Sequence, residues 1–151
     1  MHLKRTFAAL LALSCLAATA VSASADGAKI RIVVRANEFK NTKGKAIVAI
    51  YNSSDNWLKI DRAVKLMRVP IVGNSIDVTF EGMDPGVYGF SVIHDENENG
   101  KLDMRYFPIP GPVEGAGVSR DATATFGPPS WNDAKIRIGD VGGLIAVKVR
   151  Y

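Results

Sequence analysis

The chain has 151 residues, 47% of them hydrophobic and 23% charged, with a formal net charge of +4. That balance fits one globular domain and excludes a disordered chain. The 14 Gly and 7 Pro follow no repeat, which excludes collagen-like and low-complexity fibres.

The first residues read as an export signal. Lys4 and Arg5 form a basic start, residues 7–18 an apolar stretch, and Ala23-Ser24-Ala25 a small-residue cleavage site. Residues 1–25 are therefore expected to be a cleaved signal peptide, leaving residues 26–151 as a single domain that is periplasmic or secreted. A lipoprotein signal at Cys15 is the rival, but Ala12 stands three residues before it where Leu is usual. No later stretch is apolar for long enough to cross a bilayer as a helix, so no transmembrane segment is expected after cleavage. Without the leader the net charge is +2 and no Lys/Arg run remains, which argues against nucleic acid as a partner. The only Cys lies in the leader, so the domain has neither disulfide nor thiol. Its only His is His94, so a Cys/His zinc site is excluded within one chain.

Period-2 alternation then recurs along the chain. Ile30, Ile32 and Val34 share one face of residues 29–35. Residues 45–52 are apolar on both faces, as in a central strand. Residues 65–72 are weaker, and Pro70 assigns them to an edge. Ile76, Val78 and Phe80 alternate with polar residues, Tyr88, Phe90 and Val92 follow, and Ile136 with Ile138 and residues 145–151 complete the set. Turn signals separate these runs at residues 41–44, 73–74, 84–86 and 142–143. The pattern predicts an all-β fold, a seven-stranded antiparallel β-sandwich. Helix is scarce, with Ser130 and Asp133 placed to cap a single turn. A transmembrane barrel is disfavoured because the polar faces carry Lys and Arg at mid-strand. Residues 104–134 carry Pro and Gly without periodicity and read as a long irregular loop. Exposed aromatics there, Tyr106, Phe107 or Trp131, would suit stacking on a sugar or peptide; the simpler expectation is that they and Trp57 cover the fold. Tyr88, two residues after Gly86, suggests a tyrosine-corner role.

One motif carries chemistry. In residues 95–103 oxygen side chains fall at positions 1, 3, 5 and 9 (Asp95, Asn97, Asn99, Asp103), with Gly100 at 6 and Leu102 at 8. These are the first nine positions of an EF-hand-type loop, whose alternate residues point inward to give Ca²⁺ six to eight oxygens. Lys101 would contribute its backbone carbonyl, Gly100 the sharp turn and Leu102 an anchor to the core. The stretch carries a net charge of −3, which repels itself without a cation. Position 12 holds Tyr106 in place of the bidentate Glu, so Glu96, Glu98 or a distant acid would have to complete the set. The expectation is a weak Ca²⁺ site with ligands Asp95, Asn97, Asn99, Lys101 and Asp103; the bland alternative is a solvated Asx-rich turn.

The runs 84–90 (Asp-Pro-Gly-Val-Tyr-Gly-Phe), 94–103 and 126–134 (Phe-Gly-Pro-Pro-Ser-Trp-Asn-Asp-Ala) occur in that order. As a set they resemble the bacterial family called domain of unknown function 2141, over about residues 30–149. The resemblance implies export and an Ig-like or prealbumin-like sandwich, and it implies no activity. Residues 107–110 (Phe-Pro-Ile-Pro) depart from the family pattern, which more often has Gly before the second Pro. The acidic stretch also resembles calcium loops of B-type repeats in bacterial adhesins.

Two functions from different classes follow. The favoured one is a non-enzymatic binding or structural module of the cell envelope with a Ca²⁺ loop and an envelope protein or glycan as partner. The alternative is a small periplasmic hydrolase using the acidic loop and His94, for which no second catalytic group is identifiable. A third use, assembly through an exposed edge strand at residues 65–72, needs only that strand.

Overall fold

A computed structural model describes residues 27–151. The expected signal peptide, residues 1–25, lies outside the described residues. No described helix is long and apolar enough to cross a membrane.

The alternating runs form strands β1 (Ile30–Asn37), β2 (Lys45–Tyr51), β3 (Lys65–Pro70), β4 (Ser75–Met83) and β5 (Gly86–Asp95). There follow β6 (Met104–Arg105), β7 (Gly111–Pro112), β8 (Gly115–Val118), the helical turn α1 (Trp131–Ala134), β9 (Ile136–Ile138) and β10 (Gly143–Lys148). One sheet has the order β10-β1-β4, the second β3-β2-β5-β8 with β9 on the first half of β5, and β6 with β7 makes a separate hairpin. The all-β expectation holds.

Two details of the expected architecture differ. The described residues contain ten strands, not seven, because β6, β7 and β8 arise within the stretch expected to be irregular. One pairing is parallel: β10 runs alongside β1 from Ile32–Gly143 to Asn37–Lys148. A parallel pair needs a long crossover, and the chain between β1 and β10 supplies one by building the second sheet.

The two sheets share one core. Ile32, Val34 and Ala36 from β1, Ala46, Val48 and Ile50 from β2, Val78 and Phe80 from β4, Phe90 and Val92 from β5, and Val147 from β10 belong to a single buried cluster. Each fully buried aliphatic or Phe side chain stabilises the fold by about 1.5–3 kcal/mol. β2 is buried at every residue but Lys45, as its two-sided apolar pattern predicts. β3 is an edge paired only with β2, as Pro70 predicts.

β8 shows what its Gly-Ala-Gly-Val sequence is for. A Cβ on Gly117 would lie 2.0 Å from the Lys148 carbonyl oxygen, and one on Gly115 2.4 Å from the Tyr151 ring. The absence of side chains lets the chain end approach, and Ala116 and Arg150 exchange backbone hydrogen bonds of 2.8 and 2.9 Å. The residues after β10 thereby tie the first sheet to the edge of the second.

Candidate metal centre

β5 ends at Asp95, and residues 95–103 coil back on themselves with Glu98 and Gly100 at positive φ, 57° and 82°. Asp95 is only 2% exposed. Its Oδ1 accepts from the Asn99 backbone N–H (3.0 Å) and its Oδ2 from that of Gly100 (2.8 Å), so its carboxylate holds the turn. The Asn97 amide donates to Asp103 Oδ2 (2.7 Å), and the Asn99 amide donates to both Asp103 oxygens at 2.9 Å. Asn97 Oδ1 accepts from the Asn99 N–H and Asn99 Oδ1 from the Lys101 N–H, each at 3.1 Å.

The side chains of Asn97, Asn99 and Asp103 are thus brought to one point. Asp95 faces the backbone of the same coil, and Lys101 enters through its backbone N–H. The amide donors of Asn99 and Asn97 hold the Asp103 carboxyl below the usual aspartate range. Among the described residues, no three His, Cys, Asp or Glu side chains form a metal-holding group. The expected ligand set has only two carboxylates and draws on amide and carbonyl oxygens, as a calcium ligand set commonly does.

The sequence pattern gave no place to Glu114. It is 5% exposed; its Oε1 accepts from the Glu96 N–H at 3.0 Å and its Oε2 from the Asp103 N–H at 3.1 Å. Val113 N–H donates to the Asp103 carbonyl (2.9 Å), so the same link closes the base of the β6–β7 hairpin. One carboxylate therefore clasps both ends of the acidic coil. The only hint in the sequence was the missing acid at position 12.

The other acids of the loop face outward. Glu96 pairs with Lys40 (2.6 Å) and accepts from Asn41 (3.2 Å); the Lys40 hydrogen bond, before that of Asn41, lowers its carboxyl from the ordinary glutamate value. Glu98 pairs with Lys45 at 2.7 Å. Gly44, at φ 63°, packs beneath the start of the coil, where a Cβ would meet the Asp95 carbonyl oxygen at 2.0 Å. Leu102 anchors the coil at a place other than the one expected: it is half-buried, outside the inter-sheet cluster, and lines a cavity on the outer side of β5 and β8.

His94 is fully buried. The Lys43 carbonyl can only accept, so His94 Nε2 carries the proton toward it (2.8 Å). Nδ1 is hydrogen-bonded to the Tyr151 hydroxyl (2.6 Å). Phe39 and Tyr151 pack edge-on against the imidazole. Tyr88 donates to the Asp84 carbonyl (2.7 Å), the corner contact its position suggested, and Ser130 Oγ accepts from Asp133 N–H at the start of α1. Trp57 and Trp131 pack against each other over Gly89, and Trp57 Nε1 donates to the Pro129 carbonyl (2.9 Å). These two indoles cover the fold. Tyr106 and Phe107 do not, being 78% and 86% exposed.

The family model described as an uncharacterized protein conserved in bacteria, domain of unknown function 2141, matches residues 34–143. The chain belongs to the DUF2141 family. The matched span of this DUF2141 chain runs from within β1 to the start of β10 and includes the acidic coil, Glu114 and α1. No curated protein and no solved structure matches the DUF2141 chain.

Proposed function

We propose that this DUF2141 chain is an exported, non-enzymatic module of the cell envelope, an Ig-like or prealbumin-like β-sandwich whose 95–103 loop binds Ca²⁺. The observation that carries the reading is the convergence of Asn97, Asn99 and Asp103 at one point beside the buried Asp95. The proposed ligands are Asp95, Asn97, Asn99, the Lys101 carbonyl and Asp103. A modest turn of the two amides would present oxygens where their N–H groups now meet Asp103. Glu114 steadies the loop from behind. Its partner is an envelope protein or glycan, and the exposed Tyr106 and Phe107 offer stacking surface for one. The burial of His94, with both ring nitrogens engaged, supports the non-enzymatic reading over a hydrolase.

With two charged ligands the affinity is weak, on the order of 10⁻⁴–10⁻³ M. At about 1 mM Ca²⁺ and a Kd near 0.1 mM, binding stabilises the fold by ~1.4 kcal/mol. Titration calorimetry of residues 26–151 with CaCl₂ should give a saturable heat that Asp103→Ala and the exposed Asn97→Ala both abolish. No heat, or heat unchanged in both variants, overturns the reading.

A further inference from the structure

The outer face of β5 and β8 is not open to solvent throughout. The chain after the acidic coil, through β6, β7 and residues 124–129, arches over it and leaves a partly open cavity of about 680 Å³. That volume lies within the range of small-molecule sites, which are concave, mostly apolar and carry few polar groups. Its sheet wall includes Ile93 and Ala116, and its roof includes Leu102, Met104 and Pro129. No charged side chain lines it.

Three hydroxyl-bearing residues line the cavity, exposed Thr125 and the buried Tyr51 and Ser91. Tyr51 is fully buried and Ser91 nearly so, with Oη and Oγ 3.3 Å apart. Either can donate to the other, but the contact uses only one of the two hydroxyl protons. The second proton can be offered to a ligand oxygen in the cavity. Burial raises the Tyr51 phenol above its usual value, so both protons stay in place at neutral pH. A ligand oxygen that accepts from the second adds a hydrogen bond within mostly apolar walls.

We propose that this cavity binds a neutral, mostly hydrocarbon small molecule, one of whose oxygens accepts from the Tyr51–Ser91 pair. Ionised ligands are disfavoured because a charge brought within these walls finds no counter-charge. Leu102 of the acidic coil lines the cavity but none of the proposed Ca²⁺ ligands does, so the inference does not rest on the Ca²⁺ reading.

The test uses residues 26–151, which hold every described element, and the uncharged fluorophore N-phenyl-1-naphthylamine. Saturable enhancement at one probe per chain is expected in both EDTA and CaCl₂, with displacement by dodecan-1-ol. Ala116→Trp places an indole in the cavity and should weaken the probe at least ~10-fold, which corresponds to ~1.4 kcal/mol. Because Ala116 also bonds to Arg150, Thr125→Trp on the opposite wall provides a second filling variant. Ser91→Ala should weaken displacement by dodecan-1-ol. The absence of saturation overturns the proposal. So does enhancement that Phe107→Ser with Phe126→Ser abolishes while both Trp variants retain it, since that is adsorption on exposed rings. Displacement by dodecanoate as effective as by dodecan-1-ol overturns the neutral class, and a signal that tracks chain self-association overturns the small-molecule occupant.

Discussion

Glu114→Gln isolates the clasp of the acidic coil. The native carboxylate offers one oxygen to Glu96 N–H at 3.0 Å and the other to Asp103 N–H at 3.1 Å, in a position only 5% exposed. Gln keeps the shape but has one acceptor oxygen, so one backbone N–H is left facing an amide NH₂. Hydrogen bonds to a charged group contribute about 1.5–3 kcal/mol each, and a buried donor left unmade costs about 1–3 kcal/mol. Repulsion between Glu114 and the acidic coil works in the other direction and is relieved by the change. A net loss of ~2 kcal/mol follows. For a domain of this size that lowers Tm by roughly 6–10 °C. The assay is thermal unfolding followed by circular dichroism for wild type and variant, with chelator and with CaCl₂. The loss should be present in chelator, because the clasp needs no metal. Equal Tm values in chelator would refute the reasoning, for then the two hydrogen bonds contribute nothing beyond what Gln supplies.

Asp103 gives a pH dependence. Its folded pKa is lowered by Asn99 and Asn97, so its contribution is complete above the unfolded value of about 3.8 and is lost as pH falls through the lower folded value. Amide resonances of Asn97 and Asn99 should therefore shift only in acid below that value, and a transition between pH 5 and 7 would contradict the assignment. Tyr151→Phe removes the partner of buried His94 Nδ1 and of Lys40 N–H; urea unfolding should show a loss of about 1–3 kcal/mol with an unchanged m-value. Gly89→Ala puts a Cβ 2.5 Å from the Trp57 ring and 2.7 Å from that of Trp131; both indoles must shift, which should change tryptophan emission and cost about 1–3 kcal/mol.

The strands that obey period 2 were legible because one face of each meets the shared core: Ile30, Ile32 and Val34 in β1, Ile76, Val78 and Phe80 in β4. β8 was not legible because its Gly-Ala-Gly-Val run is selected by close backbone approach at Lys148 and Arg150, a contact with no local signature. The parallel direction of β10 was equally hidden, since alternation reports faces and not the direction of a partner. For the candidate site, the coil and its Asx turns could be read from spacing. Glu114 could not, because it reaches the coil through the fold. Leu102 departs from the expected anchor to the core: two apolar surfaces were available to receive it, and it lines the outer cavity and not the inter-sheet core.

The parallel β1–β10 ladder also governs the order of events in folding. Ile32 pairs with Gly143, 111 positions later, so that contact closes one of the longest loops the chain can make. β1 can dock on β4 early, through a much shorter span, but its opposite edge waits for β10 until most of the chain is available. Such non-local pairing places refolding in the slow range of milliseconds to seconds. During that interval the row of backbone donors and acceptors along β1 is open to any passing strand, so dilution or a chaperone will decide the yield of native protein.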